Sequence, residues 1–419
     1  MKRVRGVVTR SIAAWASFDF AMSSFSVILV TFVFPIYFRN VIVTNGHGDA
    51  YWGFTVSSSM LIVAAVTPLL GAMADVLRNK KAFLAIFASA TIVCTVLLYF
   101  MQPGMIFLAA ALFVIANVGY EGGTVFYDAF LPQITTAETF GRVSGIGYAF
   151  GYSGSLAILL VNLPFFTTTP KTTFLVTAAF FAVFSLPLFL FVPERRVPVQ
   201  LSFPKLVKRG FRQLLATVHH IREYKDVTRF LLAFFLYNDA ILTVILFSGI
   251  FANRTLHFGM VELAAWFAMI QLVAVLGSIL FGRFADKHGP KLAITITLFI
   301  WIAVVTGAFF TTTAAEFYVL GAVAGISLGS SQACSRGLMA LLTPPEHSAE
   351  FFGFYDGFCG KASAIIGPIV FGVLSDIFGS QRPAIVALAV FFIAGLLLLR
   401  RVNEKRAIRA EGQLEIQTA

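Results

Sequence analysis

Seven ionisable side chains stand inside stretches that are otherwise apolar: Asp19, Glu121, Asp128, Asp239, Arg336, Asp356 and Lys361. Each costs about 2.5–3.5 kcal/mol to place near the centre of a membrane-spanning helix. Left unpaired, the set would cost on the order of 20 kcal/mol, more than the stability of a typical domain. They must therefore face one another or a polar cavity. The chemistry open to five acids and two bases in such a place is ion pairing and the loading and release of a proton. Arg336 and Lys361 can neutralise the acids or hold a ligand carboxylate, and the residues alone leave both open. The competing reading is a set of fixed interhelical pairs with a purely structural role.

Their placement is ordered. Asp19 follows Trp15-Ala-Ser-Phe and Asp239 follows Phe235-Leu-Tyr-Asn, each on the first span of a half. Glu121 and Asp128 are seven residues apart, on one helix face and about 10 Å apart along the axis. Arg336 is on the counterpart of their span in the second half, and Asp356 and Lys361 are on the span after it. Helices from both halves thus bring charge to a similar depth. Tyr148, Tyr152 and Tyr355 are candidates to line a cavity there. Their glycine-rich neighbours, Gly147, Gly151 and Ser155 on one span and Gly353 and Gly357 on another, read as close helix packing.

A second pattern occurs twice. Gly71-Ala-Met-Ala-Asp75 closes one apolar stretch and Gly282-Arg-Phe-Ala-Asp286 closes another half a chain later. Basic residues follow each: Arg78, Lys80 and Lys81, then Lys287 and Lys291. The glycine permits close helix contact. The aspartate can accept from a neighbouring helix N-terminus or pair with an arginine. Gly71, Asp75, Arg78, Gly282, Asp286 and Lys287 are therefore the candidate gate, a latch that closes one end and breaks when that end opens.

The elements that must hold these residues are membrane helices. Of 419 residues, 58% are hydrophobic and 12% charged, against about 25% charged in a soluble domain. Spans of about 20 residues are expected near 11–38, 51–76, 82–101, 104–131, 141–162 and 171–192, then near 228–254, 261–287, 290–311, 315–343, 350–378 and 382–402. This is an all-α integral membrane protein of twelve helices in two similar six-helix bundles. The expected divisions are 1–192 and 228–402 for the bundles, 193–227 for a linker and 403–419 for a tail. Of the 31 Lys and Arg, only Arg39, Lys171, Arg254 and Arg382 fall on one side and only Arg336 and Lys361 within spans. The rest share the other side, so both termini are expected in the cytoplasm.

The linker carries Phe203, Val207, Phe211, Leu214, Val218 and Ile221 at helical spacing, with Lys205, Lys208, Arg209 and Arg212 on other faces. This is either a basic amphipathic helix on the inner membrane surface or a solvated connector. Cys94, Cys334 and Cys359 lie in apolar stretches without a CxxC and read as free thiols. The six His fall in or near loops. No metal, cofactor or nucleic-acid partner is expected, and no enzyme: the spans hold neither a nucleophile elbow nor a metal cluster. The net charge of +11 is loop charge.

The repeated Gly-xxx-Asp pattern in twelve spans resembles the major facilitator superfamily, except that Arg78 stands where a glycine is usual. Longer stretches narrow the likeness. Trp15–Phe25, Thr31–Phe38, Phe126–Pro132, Gly141–Tyr152, Phe235–Asp239, Gln332–Arg336, Glu350–Lys361 and Gly367-Pro368 together resemble the vacuole effluxer family, the fungal autophagy-related vacuolar amino acid exporters and their bacterial relatives. Asp19, Asp239, Arg336 and Lys361 match its motifs position by position, and Gln332 lies in one of them. Asp128 stands where an amide is expected. The resemblance implies a secondary transporter that exports small amphipathic solutes, with amino acids the leading class, by rocking two halves about a central site. Coupling to a proton or another ion, a monomeric state and a bacterial cytoplasmic membrane go with it. The alternatives are a non-transporting receptor or scaffold on the same fold, or a carrier of sugars, organic cations or drug-like solutes.

Overall fold

In the computed structural model, the described residues are 9–44, 48–166, 169–194, 203–219, 224–258, 260–363, 366–378 and 381–404. Among them the chain is helical throughout. The first bundle comprises α1 (Arg10–Ile42), α2 (Gly48–Leu77), α3 (Lys80–Leu98), α4 (Ile106–Asp128), α5 (Phe140–Asn162) and α6 (Thr172–Phe191). A surface helix, α7 (Phe203–His219), follows. The second bundle comprises α8 (Lys225–Leu256), α9 (Met260–His288), α10 (Pro290–Phe310), α11 (Ala314–Leu342), a broken eleventh span and α14 (Gln381–Arg400).

Eleven of these helices are long and apolar enough to cross a bilayer. The eleventh expected span, 350–378, does not run as one helix. It consists of α12 (residues 348–362), which winds through a π-helical stretch at Gly353–Cys359, and α13 (Ile366–Phe378). Hydropathy reads only the apolar run and is blind to such a break. Helix α1 carries π-helical stretches as well, at Ser26–Phe32 and Phe38–Ile42. Wide turns of this kind concentrate at functional sites in membrane helices.

Local chemistry sets the ends. Asn79 Oδ1 accepts from the Ala82 N–H at the start of α3, 3.3 Å away. Thr313 and Glu316 exchange side-chain and backbone hydrogen bonds at the start of α11, a capping box. Proline opens α10 at Pro290, directly after Gly289 at φ 95°. Residue 78 is the counterpart of Gly289, three places after the motif aspartate. There Arg78 adopts φ 49°, a left-handed conformation that glycine takes without steric cost.

One further repeat binds each bundle to itself. Glu194, just past α6, accepts from the backbone N–H groups of Lys80 at 2.5 Å and Lys81 at 3.2 Å. Glu404, just past α14, accepts from the Lys291 N–H at 3.0 Å. Each glutamate sits at the positive end of the third helix of its bundle. The signal was in the sequence, as Val192-Pro-Glu194-Arg-Arg and Val402-Asn-Glu404-Lys-Arg.

Helix α7 packs one face against the first bundle. Leu206, Gly210 and Thr217 are buried, with Gly210 against Met73 of α2, while Phe211 stands half exposed. Ile221 lies outside the described residues. All three cysteines are free and buried.

Candidate functional site

Arg336 is the hub of the charged layer. It sits on α11, 2% exposed, where Gln332 one turn earlier and Ser335 beside it also face neighbouring helices. Its Nη1 donates to Asp128 Oδ1 at 2.8 Å and to Asp19 Oδ2 at 3.3 Å. Its Nε donates to Ser144 Oγ at 3.0 Å and Nη2 to the Ser144 carbonyl at 2.8 Å. Three rings surround the guanidinium: Tyr148 at 4.0 Å, Trp15 at 4.9 Å and Tyr127 at 5.6 Å from ring centre to Cζ. Such stacking suits the planar, weakly hydrated guanidinium in a way it would not suit a lysine.

The first bundle builds the socket. On α1, Trp15 and Asp19 are one turn apart. Trp15 Nε1 donates to the Tyr127 carbonyl at 2.9 Å and its ring stacks on Tyr127 at 4.6 Å. Tyr127 Oη donates to Asp19 Oδ2 at 3.2 Å. On α5, Ser144, Gly147, Tyr148 and Gly151 form one face by the helical period. A methyl group on Gly147 would lie 2.6 Å from Arg336 Nη2, and one on Gly151 would lie 2.9 Å from Asp19 Oδ1. These two glycines therefore make room for the ion pair, a role beyond the helix packing their spacing suggests. Gly154, on the same helix, does pack closely, against the Phe20 backbone.

A second arm reaches across from α12. Lys361 pairs with Glu121 of α4. The carboxyl groups of Asp356 and Asp128 lie next to each other. The Oδ2 atoms of both aspartates are buried and have no conventional donor among the described residues. Every one of these contacts joins one bundle to the other. In this conformation both bases neutralise acids of the opposite half.

The expected cluster is only partly one cluster. Asp19, Glu121, Asp128, Arg336, Asp356, Lys361 and Tyr148 come together, with Tyr152 beside Tyr148 at 6.1 Å. Asp239 does not join them. Both its carboxylate oxygens accept from the Gly367 N–H, at 2.9 and 2.8 Å, so it caps the first turn of α13. Its neighbour Asn238 receives a bond from Gln332 Nε2 at 3.2 Å and donates to Ser363 Oγ at 2.8 Å. Asp239 and Gln332 therefore belong to a polar patch that supports the break in the eleventh span. Tyr355, a candidate cavity residue, is fully buried among Phe230, Phe234 and Phe352.

The two gate motifs form matching latches. Asp75 at the end of α2 accepts from the Ala349 N–H at 3.2 Å and the Glu350 N–H at 2.9 Å, both in the first turn of α12. Asp286 at the end of α9 accepts from the Arg142 N–H, 3.1 Å from each oxygen, in the first turn of α5. The glycines let the backbones meet. A methyl on Gly141 would sit 2.6 Å from the Gly282 carbonyl oxygen, and one on Gly71 would strike the Ala349 carbonyl. The basic partners differ from those expected. Lys80, not Arg78, pairs with Asp75 at 3.5 Å and also bonds Ser348 Oγ. Asp286 pairs with Arg142 at 3.5 Å, and Lys287 makes no ion pair among the described residues. Arg78 is spent on the left-handed turn. Arg142 lies in the first turn of α5, the helix that Asp286 caps, whereas Lys80 opens α3 and reaches across to Asp75 and to Ser348 at the start of α12.

Comparison with known proteins completes the picture. The family model for vacuole effluxers, "Vacuole effluxer Atg22 like", matches residues 48–412. The chain belongs to the vacuole effluxer family. It is 31% identical over 413 residues to the uncharacterized MFS-type transporter YxiO of Bacillus subtilis, covering 95% of this chain and 96% of that one. It is 23% identical to autophagy-related protein 22 of Yarrowia lipolytica, covering 86% of this chain and 77% of that one. Among solved structures it resembles the human organic anion transporter MFSD10, with a TM-score of 0.74 at 13% identity, covering 93% of this chain and 99% of that one. The E. coli fucose:proton symporter FucP gives 0.71 at 12%, covering 95% and 99%. At such identities the structural likeness establishes the fold, two six-helix bundles of the major facilitator type. The chain is thus a multi-pass membrane transport protein and not an enzyme.

Proposed function

We propose that this effluxer exports a small amphipathic solute, amino-acid-like in the first instance, across the cytoplasmic membrane by alternating access coupled to protons. The observation that carries the reading is the carboxyl pair Asp128–Asp356. The pair joins the two bundles beside Arg336, and each aspartate keeps one buried oxygen without a conventional donor. Two carboxylates this close repel each other unless they share a proton, and we assign one shared proton to the pair. The bundles cannot separate at this layer without breaking that contact, and separation would readmit water and free the proton. Proton release is in this way tied to the movement that exposes the site.

The central layer holds four acids, Asp19, Glu121, Asp128 and Asp356, against two bases, Arg336 and Lys361. The excess of acid leaves room for a titrating proton. When the bundles part, Arg336 and Lys361 lose their partners and become available to a solute carboxylate. The latches at Asp75 and Asp286 close the side that carries the basic loops, which we assign to the cytoplasm together with both termini. The bundles move as units 1–192 and 228–402, with 193–227 as the tether. The carrier acts as a monomer, since each half supplies part of the same layer.

The test is transport in proteoliposomes under an imposed pH gradient, with radiolabelled amino acids inside. Gradient-driven movement in the wild type, lost in Asp356→Asn while downhill exchange persists, is the expected outcome. Equal gradient-driven movement in both proteins would overturn the proton assignment. No movement of any amino acid, with movement of a sugar or an organic cation, would overturn the solute class.

A further inference from the structure

A cavity of about 660 Å³ lies in the second bundle, apart from the charged layer. Its wall is formed by α8, α9, α10 and α11, with Phe371 of α13 and Ile385 and Leu388 of α14, and the π-helical stretch of α1 closes one side at Val30, Thr31 and Phe32. No charged residue lines it among those described, and none of the seven charges of the central layer borders it. The wall is aromatic and aliphatic, with Phe247, Trp266, Phe267 and Phe317 prominent.

The Thr31 and Ser248 hydroxyls on this wall donate to carbonyls of their own helices, at Ser26 and Ile245, and two further polar groups are left without such partners. Gln271 is 8% exposed and has no hydrogen-bond partner among the described residues, although its amide offers two donors and an acceptor. Trp301 is 1% exposed, and its Nε1–H is buried with no acceptor. A buried donor left without a partner costs about 1–3 kcal/mol, so the fold keeps Trp301 Nε1 beside this apolar space at a cost, with the Gln271 amide on the same wall. The volume falls within the range of about 300–1,000 Å³ typical of small-molecule sites, which pair an apolar wall with a few placed polar groups.

We propose that this cavity binds a neutral ligand with an aromatic or aliphatic body and a single carbonyl acceptor, which takes the Gln271 amide and lies within the reach of Trp301. Neutrality follows from the wall. A charge brought here would lose its hydration with no counter-charge to replace it. A single acceptor follows from the wall as well, since a ligand rich in hydroxyls would leave most of them unsatisfied. The ester carbonyl and acyl chain of a membrane lipid share this chemistry with a free neutral solute. The inference does not rest on proton coupling or on amino acids as cargo.

The experiment uses benzophenone, a diaryl ketone that crosslinks to nearby C–H bonds under ultraviolet light. The full chain is placed in lipid nanodiscs and, separately, in lipid-stripped detergent. Labelling should saturate and map by mass spectrometry to α8–α11 residues of the cavity. Gln271→Leu should raise the half-saturating concentration about tenfold, as loss of about 1.4 kcal/mol requires. Ala324→Phe should abolish cavity labelling by filling the space. If the occupant is a bilayer lipid, stripping lowers the half-saturating concentration. If it is a free solute, the two preparations agree. Either result supports the chemistry. Non-saturable labelling, labelling confined to lipid-facing residues, or an unchanged half-saturation in Gln271→Leu overturns it. Should Ala324→Phe fail to fold, Gln271→Leu, whose melting temperature is checked first, carries the decision.

Discussion

Arg336 Nη1 lies 2.8 Å from Asp128 Oδ1, and the two residues belong to different bundles. Both side chains are buried to 2% exposure or less. Removing one partner of such a pair strands a charge and costs about 3–5 kcal/mol, whereas removing both costs far less. Arg336→Gln should therefore lower the melting temperature sharply, and Asp128→Asn introduced alongside it should recover much of the loss. The amide is also the residue that the family resemblance leads one to expect at 128. A double variant no more stable than Arg336→Gln alone would mean that the pair is not the relevant contact. Asp19 then becomes the main counter-ion, at 3.3 Å.

The latches make a separate claim about cooperativity. Asp75 and Asp286 cap helices on opposite bundles, and each bundle moves as a unit if access alternates. Breaking one cap should loosen the other. Asp75→Ala removes a carboxylate that accepts two backbone bonds, each worth about 1.5–3 kcal/mol as a bond to a charged group. Hydrogen–deuterium exchange should rise at the Ala349 and Glu350 amides, and it should rise at the Arg142 amide as well. A rise confined to Ala349 and Glu350 would argue for local fraying and against a rigid-body latch.

Much of this was legible in the chain. The Gly-xxx-Asp repeat carries its own geometry, because a helix end that needs close contact and an anchored N-terminus selects those residue types. The pairing of Arg336 with acids was legible because an isolated guanidinium in hydrocarbon is too costly to keep. Three things were not legible. The turn at Ser363 between α12 and α13 leaves hydropathy unchanged, so nothing in the sequence marks Asp239 as an acceptor for the Gly367 N–H. Gly147 and Gly151 carry a packing signature whether a helix or a guanidinium fills the space. Lys80 and Arg78 are both basic and two residues apart, and only the backbone turn decides which of them points to Asp75.

That turn gives a stability prediction. Arg78 holds φ 49° where the second copy of the motif has Gly289 at φ 95°. A left-handed conformation costs a residue with a side chain about 1–2 kcal/mol, and glycine repays roughly half of this through the entropy of the unfolded chain. Arg78 makes no ion pair among the described residues. Arg78→Gly should raise stability by about 0.5–1 kcal/mol in a thermal melt, with the Asp75–Lys80 pair intact. Arg78→Val should lower it, since a β-branched side chain suits this region least.

His347 lies in the loop before α12, outside the spans, and links the latch to the surface helix. Its Nδ1 is 3.3 Å from Glu350 Oε2, which also accepts from Gln213 Nε2 of α7 at 2.9 Å. The Glu350 backbone N–H in turn donates to Asp75. The hydrogen bond to Glu350 raises the His347 pKa above its ordinary value of 6.5, partial burial opposes the rise, and the charges of Glu350, Asp75 and Glu346 add to it. A histidine whose pKa is raised on folding stabilises the folded state fully below the unfolded value. That contribution fades as pH climbs through the higher folded value. The latch should therefore hold most firmly below pH 6.5 and loosen as pH rises above it. The check is amide exchange at Ala349 and Glu350 on both sides of that pH, for wild type and for His347→Gln. The wild type should exchange faster as pH rises, beyond the intrinsic base catalysis seen in an unstructured peptide. The variant should follow the intrinsic curve alone. An identical excess in both proteins would assign the pH response to another group and leave His347 a structural residue of the loop.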